Sequence, residues 1–296
     1  MRKVIQETFF DFSAQREGFT PFMYCDTLNL VTTGIGNLID SGPRNGFDIS
    51  DGAMAPAMNL PWKHKGPGWT SKNPIAGELA SKEEIRECWI RTKLKEQETP
   101  GFNKKGGFAY ANFQPLTLDL QGLKDLFNRT LSSFDKQLSQ RYSAYDTAPA
   151  DAQQAILSMA WAMGPAFNFP AFKTAFNASD FRKAGELSFF KGGGGSIDAR
   201  TGRNRENVIM FTNAADVLKA GADPDQLFFP GTVGATPGRS PTGGSSGPLV
   251  ADISKAGGGT IATAKNVAMG AAPVAAVAAV GWAGWELFKH FRKGKK

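Results

Sequence analysis

Two carboxylates, Glu17 and Asp26, stand close together in the stretch REGFTPFMYCDTLNLVTTGIGN. Hydrolysis of a glycosidic bond needs a proton donor for the leaving oxygen. It also needs an activated water or a group that stabilises an oxocarbenium-like centre, and two carboxylates in different environments supply both. Glu17 falls at the expected end of a helix, where the negative end of the dipole and partial burial both favour the protonated carboxyl. Asp26 falls in an expected turn, exposed and ionised. Thr32 supplies a hydroxyl to hold a water against Asp26. Cys25 is a rival nucleophile, but the chain has two histidines, His64 and His290, and neither is an evident partner. It reads better as a half-buried strand residue.

The elements that must position these groups are legible nearby. Ile5 to Arg16 reads as an amphipathic helix with Ile5, Phe9 and Phe12 on one side, and Gly18 stops it. Phe22-Met23-Tyr24 and Leu30-Val31-Thr32-Thr33 read as two strands around the turn Asp26-Thr27-Leu28-Asn29. Gly34-Ile35-Gly36 lets the backbone bend or approach something closely. Ser81-Lys82-Glu83-Glu84 fits a capping box opening a helix to about Glu96, and Thr117 is placed to cap a long helix after it. PADAQQAILSMAWAMG, apolar nearly all round, reads as a central buried helix from Pro149 to Gly164. Shorter helices are expected at Pro170 to Phe176, Ser179 to Phe190 and Asn204 to Ala220. Between Ser41 and Ala80 the Gly, Pro, Asn and Lys content reads as an irregular insertion, with His64 in a solvated loop. Trp62 and Trp69 there pack the loop or stack on sugar rings, the former being the simpler reading. Pro100 to Pro115 reads as a second loop. Gly192 to Gly195 lacks the Lys-Ser/Thr of a phosphate loop and reads as a flexible connection.

The order Glu17-Gly18, Tyr24, Asp26-Thr27, Thr32 and Gly34-Ile35-Gly36 resembles the catalytic signature of the phage-type lysozymes (glycoside hydrolase family 24). That resemblance implies an inverting muramidase cleaving the β-1,4 bond between N-acetylmuramic acid and N-acetylglucosamine in peptidoglycan. It makes Glu17 the general acid and gives Asp26 with Thr32 the task of positioning water. Tyr24, Gly34 and Gly36 would line the substrate site. AILSMAWAMG resembles the family's central helix and TGRNRENVIMF its late helix, so that Arg203 or Arg205 corresponds to a basic residue near the acid. Two departures stand out: Asn29 replaces the usual glycine of the hairpin turn, and 41–80 replaces a shorter lobe. LPW, SKEEIRECWIRTK, PADAQQAILSMAWAMG and RNRENVIMFTNAADV also resemble lysozyme-like interbacterial toxins delivered by secretion machines.

The implied fold is α+β, a mostly helical lysozyme-like fold with a small N-terminal β-hairpin lobe. A catalytic domain over 1–229 is expected, then a Gly/Pro/Ser-rich linker over 230–260 and a hydrophobic, membrane-associated helix with a basic tail over 261–296. The 20 residues or so from Asn266 to Trp285 carry no charge before Glu286, a length near that of a bilayer span. Ala contributes little to insertion and Pro273 interrupts the run, yet Trp282, Trp285 and KHFRKGKK suit an interface boundary. Membrane contact is therefore expected through 266–288.

Of the 34 basic residues, Lys289, Arg292, Lys293, Lys295 and Lys296 cluster at the end without an acid, so the net charge of +7 is a property of the tail. The remainder nearly balances the 27 acids, which argues against a nucleic-acid partner. Cys25 and Cys88 are expected as reduced thiols, and no metal-ligand spacing or cofactor motif occurs. The N-terminus has no apolar signal region. Synthesis in the cytoplasm followed by action in the periplasm or at the wall is expected, as phage lysin or secreted toxin. A toxin would have an immunity protein as partner. Two other classes compete: a non-catalytic peptidoglycan-binding module and a membrane-permeabilising toxin.

Overall fold

A computed structural model describes residues 1–43, 46–70, 74–190 and 202–233. The linker after residue 233, the 266–288 segment and the Gly192–Gly195 run lie outside the described residues. The protein is α+β and mostly helical, with a small β lobe near the N-terminus. It divides into two compact units, one formed by 13–130 and the other by 1–12 with 131–233.

In the first unit the chain enters through the end of helix α1 (Lys3–Glu17). Gly18 takes a left-handed φ of 77° and its N–H donates to the Ala14 carbonyl at 3.1 Å, closing the last turn directly after Glu17. Strand β1 (Thr20–Cys25) then pairs antiparallel with β2 (Val31–Gly34), setting Tyr24 opposite Thr32 and Cys25 opposite Val31. The short β3 (Asn37–Leu38) returns along β2, with Thr33 opposite Asn37. Every residue of β1 and β2 is buried, because the hairpin is covered on both faces. Its core neighbours include Trp62, Trp89, Tyr110, Leu116 and Leu123.

The 41–80 stretch corrects the expectation of an irregular insertion. Helix α2 (Asp51–Met58) is capped by Ser50, whose hydroxyl accepts from the Ala53 N–H at 3.3 Å. Strands β4 (Lys63–Lys65) and β5 (Ala76–Leu79) form a second three-stranded sheet with β6 (Leu116–Thr117), and β4 is central. A Lys-His-Lys run makes a central strand because its charges find partners at their tips. Lys63 pairs with Asp119 at 2.5 Å, His64 Nε2 lies 3.2 Å from Glu84, and Lys65 donates to the Ala111 carbonyl at 2.6 Å. His64 is thus a strand residue rather than part of a loop. Trp62 is fully buried, its indole N–H on the Ala57 carbonyl, and offers no face to a sugar. Trp69 is half-buried, with Lys65 Nζ 3.6 Å above its ring.

Helix α3 (Lys82–Glu98) opens with the capping box of Ser81 and Glu84. Two short 3-10 turns, Phe102–Lys105 and Gly107–Tyr110, order much of the 100–115 loop. Thr117 lies in β6 and does not cap the helix that follows. That helix, α4 (Leu120–Arg141), has Asp119 before it, whose carboxylate accepts from the Gly122 N–H at 2.8 Å.

The second unit is helical. Helix α5 (Ala150–Met163) is buried at every position except Trp161. It packs along α8 (Gly202–Ala220), which in turn packs on α7 (Phe181–Glu186), and α7 on α6 (Pro170–Asn177). Tyr142, Phe167, Phe172, Phe176, Phe181 and Phe211 interlock by edge-to-face and tilted contacts.

Candidate active site

The helix end and the hairpin bring Glu17, Tyr24, Asp26 and Thr32 into one unit. Glu17 is the last residue of α1 and is half-buried. Asp26 begins the β1–β2 turn. Its N–H donates to the Leu30 carbonyl at 2.9 Å, and its Oδ1 accepts from the N–H groups of Leu28 at 2.8 Å and Leu30 at 2.9 Å. These bonds fix the carboxylate relative to the turn. Asp26 is half-buried, where an exposed carboxylate was expected, because the turn folds back over its own aspartate. Asn29 takes the left-handed conformation at φ 58°, the position glycine would fill most easily.

Tyr24 links the two acids. Burial pushes its hydroxyl pKa well up, and the charges of Asp26 and then Glu17 push it in the same direction. Both carboxylates therefore lie within electrostatic reach of one phenol, which stays protonated. The Tyr24 ring is backed by Gly107, where a Cβ would stand 3.1 Å from the ring carbon Cγ. Across the hairpin Thr32 is 4 % exposed, and its Oγ1 donates to the Leu30 carbonyl at 3.2 Å. With its hydrogen committed, that oxygen faces any further partner as an acceptor.

Gly34 and Gly36 both have positive φ, at 66° and 72°. What Gly34 approaches closely is Asn37: a Cβ there would fall 2.9 Å from Asn37 Oδ1, an atom that accepts from the Ile35 N–H at 3.2 Å. Arg203 and Arg205 belong to the helical unit. Arg203 is buried with its guanidinium 3.4 Å from the Ser158 carbonyl, and Arg205 is exposed.

Cys25 and Cys88 are free, buried thiols, and burial pushes each pKa up to about 12. Cys25 is fully buried rather than half-buried, and donates to the Thr92 carbonyl at 3.4 Å. A thiol held protonated in this way is no nucleophile. Among the described residues no cluster of His, Cys, Asp and Glu is disposed to hold a metal ion.

Sequence reasoning passed over Asp40 and Lys93. Their side chains are both 0 % exposed and meet at 2.9 Å behind the turn. One signal was available: Lys93 follows Ile85, Trp89 and Thr92 along the buried stripe of α3, four residues after Trp89, where a charge needs a buried partner. No family model, curated protein or solved structure matches the chain.

Proposed function

We propose that the protein is a peptidoglycan muramidase working by single displacement. Glu17 protonates the glycosidic oxygen as the bond to the anomeric carbon breaks. Asp26 takes one proton of the attacking water, and the water's oxygen adds to the anomeric carbon from the opposite face. Thr32 accepts the water's second hydrogen, which leaves a lone pair directed at the sugar. The observation that carries this reading is the hairpin register, which sets Thr32 opposite Tyr24, two residues before the turn-held Asp26, in the strand pair that directly follows Glu17 at the end of α1. The turn's hydrogen bonds support it further, because a base that positions water must itself be held. The substrate places the site of action in the periplasm or at the wall.

The test uses purified sacculi and the full chain. Wild type should release muropeptides with new reducing ends, and Glu17→Gln and Asp26→Asn should release them about 10²- to 10⁴-fold more slowly, although both retain the wild-type melting profile. Anhydro-sugar products would instead identify a lytic transglycosylase. Sacculus binding without any new ends would reduce the protein to a binding module.

A further inference from the structure

The buried ion pair behind the hairpin has no role in the proton transfers above, yet it grips the turn that carries Asp26. Lys93 Nζ donates to the Asn29 carbonyl at 2.6 Å and to Asp40 Oδ2 at 2.9 Å. The same Asp40 Oδ2 accepts from the Val31 N–H at 3.0 Å, and Oδ1 accepts from the Gly42 N–H at 2.8 Å. On the other side of Asp26, the Cys25 thiol donates to the carbonyl of Thr92, the residue before Lys93. Two adjacent residues of α3 therefore hold the chain immediately before Asp26 and at the third residue after it.

A fully buried pair is a costly way to gain stability alone, since apolar replacements of similar volume often serve as well or better. Its use here is geometric. It fixes the Asn29 carbonyl and the Val31 amide, between which lies the Leu30 N–H that bonds Asp26. We infer that Lys93, through Asp40 and Asn29, is a positioning residue that sets the Asp26 carboxylate for its water. This inference rests on the muramidase reading. A carboxylate displaced by about 1 Å costs on the order of 100-fold in rate when the reaction depends on its placement.

The experiment compares wild type, Lys93→Met and Asp40→Asn/Lys93→Met, with and without Asp26→Asn, on sacculi or soluble glycan strands. Amide exchange at Leu28 and Leu30 is measured in parallel. The double replacement removes both buried charges and is expected to fold even where Lys93→Met does not. The expected result is a kcat lower by about 100-fold in the folded variants. KM should stay within about twofold, exchange at Leu28 and Leu30 should be faster, and no further loss should appear once Asp26 is Asn.

A folded variant with wild-type kcat overturns the inference and leaves the muramidase reading intact. So does a loss that multiplies that of Asp26→Asn, or a failure of both variants to fold, since the pair is then a stability element only. Wild-type protein that makes no new reducing ends, whatever the exchange rates, ends the muramidase reading and the inference with it.

Discussion

The two units bury charge in different ways. In the hairpin unit a buried carboxylate, Asp40, faces a buried ammonium, and the pair is tied to backbone on both sides of the turn. In the helical unit Asp151 is equally buried, but its partners are neutral. Oδ1 accepts from the Asn213 amide at 2.9 Å and the Phe229 N–H at 3.0 Å, and Oδ2 accepts from the Phe228 N–H at 2.8 Å. Neutral donors do not fully offset lost solvation, and burial pushes the Asp151 pKa up. The first arrangement fixes the geometry of a turn. The second fastens the chain around 228–229 to α5 and leaves a titratable group in the core.

That contrast makes predictions of decreasing size. Glu17→Gln should lower turnover on sacculi by about 10³-fold, the scale of a lost general acid, with little change in urea midpoint. A variant that loses stability and activity together would erase the distinction between a site unit and a scaffold unit. In the helical unit Phe172→Ala should cost about 3–5 kcal/mol in urea denaturation. Its ring is fully buried and packs on Phe167, Phe176 and Phe211. Turnover per folded molecule should remain at the wild-type value.

A smaller effect is expected from pH. The Asp151 carboxyl titrates above its ordinary value of 3.8 in the folded protein, so just above that pH the folded state holds a proton that the unfolded chain has released. Stability contributed by Asp151 is therefore greatest in acid and declines as pH rises through the folded pKa, levelling off beyond it. Urea denaturation between about pH 4 and about pH 7 should show this slope, and Asp151→Asn should remove it. An unchanged slope would assign it to other groups.

The smallest effect is an absence of change. With both thiols pushed up to about 12 by burial, Cys25 and Cys88 should resist a disulfide reagent in the folded protein and react only in urea. Turnover should be indifferent to the reagent. Native labelling at the rate of a free thiol would show that the hairpin core opens.

Much of the frame around the candidate site was legible because its signals are local. Gly18 directly after Glu17, the turn residues from Asp26 to Asn29 and the Ser81–Glu84 box each act within a few residues, and each appears where its local chemistry requires. The bounds of α5 follow likewise from Pro149 and Gly164. The second sheet was not legible. Its central strand pairs Lys63 with Thr117 and His64 with Leu116, partners more than fifty residues away, and three consecutive basic residues mask the strand pattern. The strand position of Thr117 is hidden for the same reason: nothing in its neighbourhood announces a partner so far back in the chain.

Sequence alone determined which groups are available for chemistry, a glutamate at a helix end and an aspartate and threonine on a hairpin, because residue type and short-range backbone preference fix those. Only the tertiary structure decided that Asp26 is half-buried, that Cys25 is sealed and that Lys93 and Asp40 grip the turn from behind. Burial and charge pairing depend on what packs against a residue, and those neighbours come from distant parts of the chain.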